Sequence, residues 1–182
     1  APLLEDAAVG RSVGGALAMN AGCHGYEIIE RLESLTIINR AGVNEIAAKD
    51  LEYGYRYLKV QEGSVIVDAC FHLTADDPTA ITVRVQEFLG KRRVSQQVVY
   101  PNAGSFFKNP PNMLAWRLID AAGLRGLAVG GAQVSEQHAN FLVNRGGASA
   151  RDFLELAKIV KERVRSLSGV ELEEEVRIVG EG

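Results

Sequence analysis

The sequence predicts an α+β fold in two small subdomains that divide near residue 95. Three observations predict it. Strand-like runs occur at Leu32 to Asn39 and at Ser64 to Leu73, short apolar segments rich in β-branched residues. Phe153, Leu156, Ala157, Val160, Val164 and Leu167 recur at helical spacing, which marks a strongly amphipathic helix. At Ser95-Gln96-Gln97 periodicity lapses into a polar stretch, the best place for a boundary.

Residues 10 to 25, Gly-Arg-Ser-Val-Gly-Gly-Ala-Leu-Ala-Met-Asn-Ala-Gly-Cys-His-Gly, set small residues between glycines and suit a short helix or turn against another backbone. In the second strand Val65, Val67, Ala69 and Phe71 are expected to share one face, opposite Ile66, Asp68, Cys70 and His72. Tyr53-Gly54-Tyr55-Arg56-Tyr57 is too aromatic and too glycine-broken for a plain strand. Asp77 reads as an N-cap with Pro78 at the first helical position, and Ile81, Val85, Phe88 and Leu89 recur on one face of a helix ending near Lys91-Arg92-Arg93. A second helix is expected from Met113 to Ala122, stopped by Gly123. Gly126 to Asn144 reads as a loop and then a strand. Ser149 and Asp152 form a capping box before the amphipathic helix, which Gly169 ends. Val170 to Val179 alternates as a last strand, placing Glu175 and Arg177 on one face opposite Leu172 and Val176.

Composition narrows the function classes. At 182 residues, 47% hydrophobic and 24% charged, the chain has the make-up of a soluble globular protein with a real core. No apolar run approaches the ~18 residues that a bilayer span needs, and Ala1-Pro2-Leu3-Leu4-Glu5-Asp6 lacks the features of a signal peptide, so a cytoplasmic location and no membrane partner are expected. Cys23 and Cys70 form no metal-knuckle pattern and read as buried free thiols, with no metal site. A formal net charge of −3 argues against nucleic-acid binding, so an anionic ligand must be held locally.

The residues that could carry chemistry are Arg56 among tyrosines, Ser105 in a glycine-bounded loop, Lys108, Asn109, His138, and the pair Glu175 and Arg177. Each has a plain structural reading beside the chemical one. Arg56 stacks on Tyr53 or Tyr55; Ser105 bonds its hydroxyl to a turn; His138 is a satisfied structural histidine; Glu175 and Arg177 form a solvated face.

The order of several segments resembles the MurB-type UDP-N-acetylenolpyruvoylglucosamine reductase family. They are Ser12-Val13-Gly14-Gly15-Ala16, Met19-Asn20-Ala21-Gly22, Gly54-Tyr55-Arg56, Ala103-Gly104-Ser105-Phe106-Phe107-Lys108-Asn109-Pro110, Gly130-Gly131-Ala132-Gln133-Val134-Ser135, His138-Ala139-Asn140-Phe141 and Leu172-Glu173-Glu174-Glu175-Val176-Arg177. The resemblance implies reduction of UDP-N-acetylglucosamine enolpyruvate to UDP-N-acetylmuramate, with FAD as cofactor and NADPH as reductant. It implies Ser105 as proton donor, and Arg56 and Glu175 as stabilisers of an enolate-like intermediate. Lys108, Asn109 and His138 would hold substrate, with Arg93 and Gln96 near its phosphates or sugar. Ser12, Val13, Gly14, Gly15 and Arg177 would approach the flavin. Residues 1–95 would be the C-terminal part of a FAD-binding domain with a partial mixed sheet, and 96–182 an α+β substrate-binding domain.

This sequence departs from the family pattern at its start, where only Ala7-Ala8-Val9-Gly10-Arg11 leads into Ser12. The expectation is a chain that begins inside the flavin domain, lacks the N-terminal flavin-binding region as its partner, and is inactive alone. A nucleotide-sugar binding module without redox activity is the competing reading. A hydrolase using Ser105 with His138 lacks a nucleophile elbow and a third member.

Overall fold

A computed structural model describes residues 12–23, 25–95 and 98–180. The chain forms two compact units, Ala1–Lys91 and Arg92–Gly182.

The first unit opens with helix α1 (Val13–Ala18), whose N-cap Ser12 accepts a hydrogen bond from the Gly15 amide. A small hairpin follows, β1 (Gly22–Cys23) with β2 (Tyr26–Glu27). The central sheet is antiparallel, with β3 (Leu32–Asn39) between β4 (Gly42–Ala47) and β7 (Val65–Phe71). A second hairpin joins β5 (Glu52–Gly54) to β6 (Tyr57–Lys59). Leu17, Ile28, Ile29, Leu32, Leu35, Ile37 and Leu58 form the core.

The expected face of β7 is corrected by two irregularities in its pairing with β3. Pairing steps from Leu32↔Phe71 to Ser34↔Cys70, leaving Glu33 as an extra residue, and from Thr36↔Asp68 to Ile37↔Ile66, leaving Val67 extra. The pairs that meet the core are therefore Leu32 with Phe71, Leu35 with Ala69, and Ile37 with Ile66. Val65 and Val67 are exposed. Cys70, expected to be a buried thiol, is exposed, with its Sγ 3.4 Å from Glu33 Oε2. Helix α2 (Pro78–Ser95) starts as its cap predicts, Asp77 Oδ2 accepting from the Ala80 amide at 2.8 Å. Ile81, Val85, Phe88 and Leu89 are half-buried, as are Ala80 and Arg84, and the helix runs on to Ser95, past the expected end.

The second unit holds a four-stranded antiparallel sheet in the order β8 (Asn102–Ser105), β11 (Phe141–Asn144), β10 (Ala132–Val134), β9 (Ala128–Val129). Helix α4 (Ala150–Ser168) packs against β9, β10 and helix α3 (Ala115–Ala121), burying Leu156, Ala157, Val160 and Val164. Each of the larger side chains contributes about 1.5–3 kcal/mol by leaving water. The Ser149/Asp152 capping box forms in both directions, and Gly169 closes the helix at φ +71°. Asp152 has a further role: its carboxylate also reaches the Gly131 amide in the β9–β10 turn, and hydrogen bonds from the Ser149 backbone and hydroxyl hold its pKa below the usual carboxylate range.

Four expectations change here. Gly126 to Asn140 is not one loop, because Gly130-Gly131 turns β9 back on β10. At Gly131 a Cβ would lie 2.5 Å from Ala148 N and Gly146 O, so that close approach admits only glycine. Helix α3 begins two residues after Met113, because Asn109 Oδ1 caps its Ala115 amide from upstream at 3.0 Å. Leu167 is exposed, off the buried stripe of α4. The last strand does not form: residues 170–180 make a single bridge, Glu174 with Phe107, and Glu175-Val176 is a bend. Leu172 is buried all the same, with Val176 packed on the same core, while Ile178 is exposed. One bridge fixes too few residues to keep the alternation, so Glu175 and Arg177 are not held on a common strand face.

Candidate active site

In the first unit the tyrosine-rich segment becomes a hairpin whose two-residue turn is Tyr55-Arg56. Arg56 lies at φ +64°, where a residue with a Cβ costs of order 1–3 kcal/mol. Its side chain is anchored in return. Nη2 donates to the Gly22 carbonyl at 3.0 Å, and the guanidinium carbon lies 4.8 Å from the centre of the Tyr55 ring. The stacking reading thus holds for Tyr55, with a backbone anchor besides. Gly54 lies beneath the Tyr57 ring, where a Cβ would be 2.5 Å from Cε1. At the start of the unit, Ser12, Val13 and Gly15 are exposed, so the N-terminal end of α1 faces solvent with no Cβ on Gly14 or Gly15.

In the second unit Ser105 ends β8, opposite Phe141 of β11. Gly104 before it lies at φ +83°, its amide bonded to Asn102 Oδ1 at 2.9 Å. The two residues after it, Phe106 and Phe107, are both buried and meet edge to face, ring centres 5.0 Å apart. Ser105 is half-buried, and among the described residues its hydroxyl has no hydrogen-bond partner. The turn-bonded reading of Ser105 is therefore not what the structure has.

The segment after Ser105 is fastened from two sides. Glu175 N donates to Phe106 O, and Lys108 N to Glu173 O, each at 2.8 Å, so half-buried Glu175 sits beside the residue that follows Ser105. On the other side, Phe106 N donates to Asn140 O at 2.7 Å. The Asn140 side chain, only 3% exposed, clamps Phe107 at both backbone groups: Oδ1 accepts from Phe107 N at 3.0 Å and Nδ2 donates to Phe107 O at 2.8 Å.

The other expected residues have structural partners. The Lys108 ammonium pairs with Glu173, and Asn109 caps α3. His138 is half-buried, its ring centre 4.4 Å from that of Phe141, and its Nδ1 accepts from Asn140 N at 3.3 Å. Burial pushes its pKa below the usual histidine value, with a smaller push from Arg125. Arg177 is exposed. The Arg93 side chain and Gln96 lie outside the described residues. Among the described residues no group of His, Cys, Asp and Glu is placed to hold a metal, and no helix is long and apolar enough to cross a membrane.

The family model for the UDP-N-acetylenolpyruvoylglucosamine reductase C-terminal domain matches residues 96–179. The crystal structure of the Thermus caldophilus UDP-N-acetylenolpyruvylglucosamine reductase superposes with a TM-score of 0.82 at 33% identity, covering 96% of this chain and 67% of that one. The chain belongs to the UDP-N-acetylenolpyruvoylglucosamine reductase family. The reductase of Geotalea uraniireducens is 57% identical over 92% of this chain, and that of Geobacter sulfurreducens 58% over 93%. This member spans 56% and 57% of those two relatives' lengths.

Within the segments that carry the resemblance, Asn20, Ser135 and Asn140 are buried polar residues to which sequence reading gave no role. A lone amide inside the apolar run Ala139 to Val143 was the available signal for Asn140, since a buried amide needs partners. For Asn20 the signal was weaker, an asparagine amid small residues.

Proposed function

We propose that this chain is the substrate-binding and proton-donating portion of a UDP-N-acetylenolpyruvoylglucosamine reductase acting in the cytosol in peptidoglycan-precursor synthesis. Residues 1–95 form part of its flavin-binding domain and 96–182 its substrate-binding domain. The observation that carries the reading is the 57% identity to a relative of that name over 92% of this chain. A serine hydroxyl set at a strand end, between a left-handed glycine and two buried aromatics, supports it.

The reaction adds a hydride and a proton across the enolpyruvyl double bond of UDP-N-acetylglucosamine enolpyruvate and yields UDP-N-acetylmuramate. FAD, when bound and reduced by NADPH, would supply the hydride. As the hydride reaches one alkene carbon, the electron pair moves toward the carboxylate. Arg56, always charged, and Glu175 stabilise the enolate-like intermediate that results. Ser105 gives its proton to the carbon next to the carboxylate, and solvent restores it. A hydroxyl is a weak acid, so this role depends on holding it in line with that carbon, and anchoring Phe106 and Phe107 serves that end. Lys108, Asn109 and His138 hold the substrate, Lys108 exchanging Glu173 for an anionic group, while Arg93 and Gln96 attend its phosphates or sugar.

The exposed N-terminal end of α1, with no Cβ on Gly14 or Gly15, suits a pyrophosphate, so Ser12, Val13, Gly14 and Gly15 are the residues that would hold that part of the cofactor, with Arg177 near the flavin.

Ser105→Ala in the complete reductase tests the assignment. Turnover of the enolpyruvyl substrate should fall about 10²-fold or more, with flavin reduction by NADPH nearly unchanged. Equal loss in both half-reactions would remove Ser105 from the role. Substrate binding in a complete protein that turns nothing over would favour a nucleotide-sugar binding module.

A further inference from the structure

We infer that Asn20 is a positioning residue for Arg56, holding the hairpin that aims its guanidinium; this rests on the reading of Arg56 given above. Asn20 follows helix α1 at φ +43°, with its amide bonded to Leu17 O at 2.9 Å. As a helix terminator it does nothing that glycine would not do with less strain. The side chain is what distinguishes it. It is wholly buried, and Nδ2 gives both hydrogens away, to Glu27 Oε2 at 2.7 Å and to the Gly54 carbonyl at 3.0 Å. Its Oδ1 is buried with no partner among the described residues, a penalty that a mere terminator would not carry.

Gly54 is the last residue of β5 before the Tyr55-Arg56 turn. Two residues beyond Asn20, the Gly22 carbonyl accepts from Arg56 Nη2 at 3.0 Å. The backbone of the Arg56 hairpin and its charged end are thus both tied to residues 20–22. Glu27 locks that segment in place, pairing with Gly22 across the β1–β2 hairpin while accepting from Asn20. At Gly22 a Cβ would lie 2.2 Å from Tyr26 O, so the close pairing of β1 with β2 admits only glycine there. A strained turn residue keeps its place only when its surroundings over-determine it, and the Asn20 bond to Gly54 is one of those determinants. The consequence is catalytic before it is structural: without that bond the hairpin relaxes and the guanidinium leaves its line.

The test is Asn20→Gly in the complete flavin-loaded reductase, since glycine keeps the left-handed helix end and removes only the side-chain bonds. Turnover of the enolpyruvyl substrate should fall about 10-fold or more, while flavin content and its reduction by NADPH stay within about 2-fold. In an Arg56→Lys background the same change should add less than about 2-fold, because the group it positions has already been replaced. Losses that multiply in the double variant, or that fall equally on both half-reactions, overturn the inference in favour of a purely structural role. If Arg56→Lys lowers turnover and Asn20→Gly does not, the inference fails and the reading of Arg56 stands. If Arg56→Lys itself has no effect, the reading of Arg56 fails. Should the glycine variant not accumulate, Asn20→Asp, which keeps the size but can donate at most one of the two bonds, carries expectations of the same direction.

Discussion

Replacing Asn140 by Asp changes one atom of the clamp on Phe107 and should make the second unit's stability depend on pH. In the native protein Oδ1 accepts from Phe107 N and Nδ2 donates to Phe107 O, in a site only 3% exposed. An ionised carboxyl keeps the first bond and sets an anionic oxygen against the Phe107 carbonyl. Leaving that buried carbonyl without a donor costs about 1–3 kcal/mol, and burying the charge adds to it, so a loss of about 3 kcal/mol or more is expected at pH 7. A protonated carboxyl can donate to Phe107 O and restore the pair. Burial raises the folded-state pKa of the new carboxyl above its unfolded value of about 3.9. Relative to wild type the variant should therefore be least impaired below that value and lose stability as pH rises through the folded-state pKa. Trp116, the chain's one tryptophan, lies in the second unit, so urea melts followed by its fluorescence between acid and neutral pH report on that unit. Asn140→Leu is the control, with a penalty that does not change with pH. A wild-type midpoint for the aspartate variant at pH 7, or a penalty the same at every pH, would refute the clamp.

Two further outcomes follow from the same unit. Gly131→Ala should destabilise it by about 1–3 kcal/mol, because the new methyl meets the backbone at Ala148 and Gly146, which cannot swing aside; an unchanged melting midpoint would contradict that close approach. His138, its pKa depressed mainly by burial, should contribute stability that is present above its unfolded pKa of about 6.5 and is lost as pH falls through the lower folded value. An NMR titration of its ring that gave a midpoint at or above that of free histidine would be incompatible with the packing on Phe141.

What was legible in the sequence was local. Asp77 with Pro78, Ser149 with Asp152, and Gly169 act within three or four residues of their own positions, so their helix ends could be read directly. The alternation of Val170 to Val179 had no such basis, because a strand exists only with a partner ladder, and Phe107 supplies a single bridge. The phase of β7 was hidden for the same reason: where Val67 drops out of pairing depends on β3, some thirty residues away. Arg56, Ser105 and Glu175 could be named by resemblance, but not the groups that hold them. Asn20 reaches Gly54 across 34 positions and Asn140 reaches Phe107 across 33, and neither distance leaves a periodic trace.

The unpaired residues at Glu33 and Val67 offset one another, one on each strand, so the ladder beyond them returns to the alignment it had before. Insertions and deletions in these two segments are thus linked. Excising either residue alone leaves the other shift uncompensated, so the two ends of the ladder stand one residue out of step, whereas excising both leaves an uninterrupted ladder. A homologue that has lost one of the two should have lost the other.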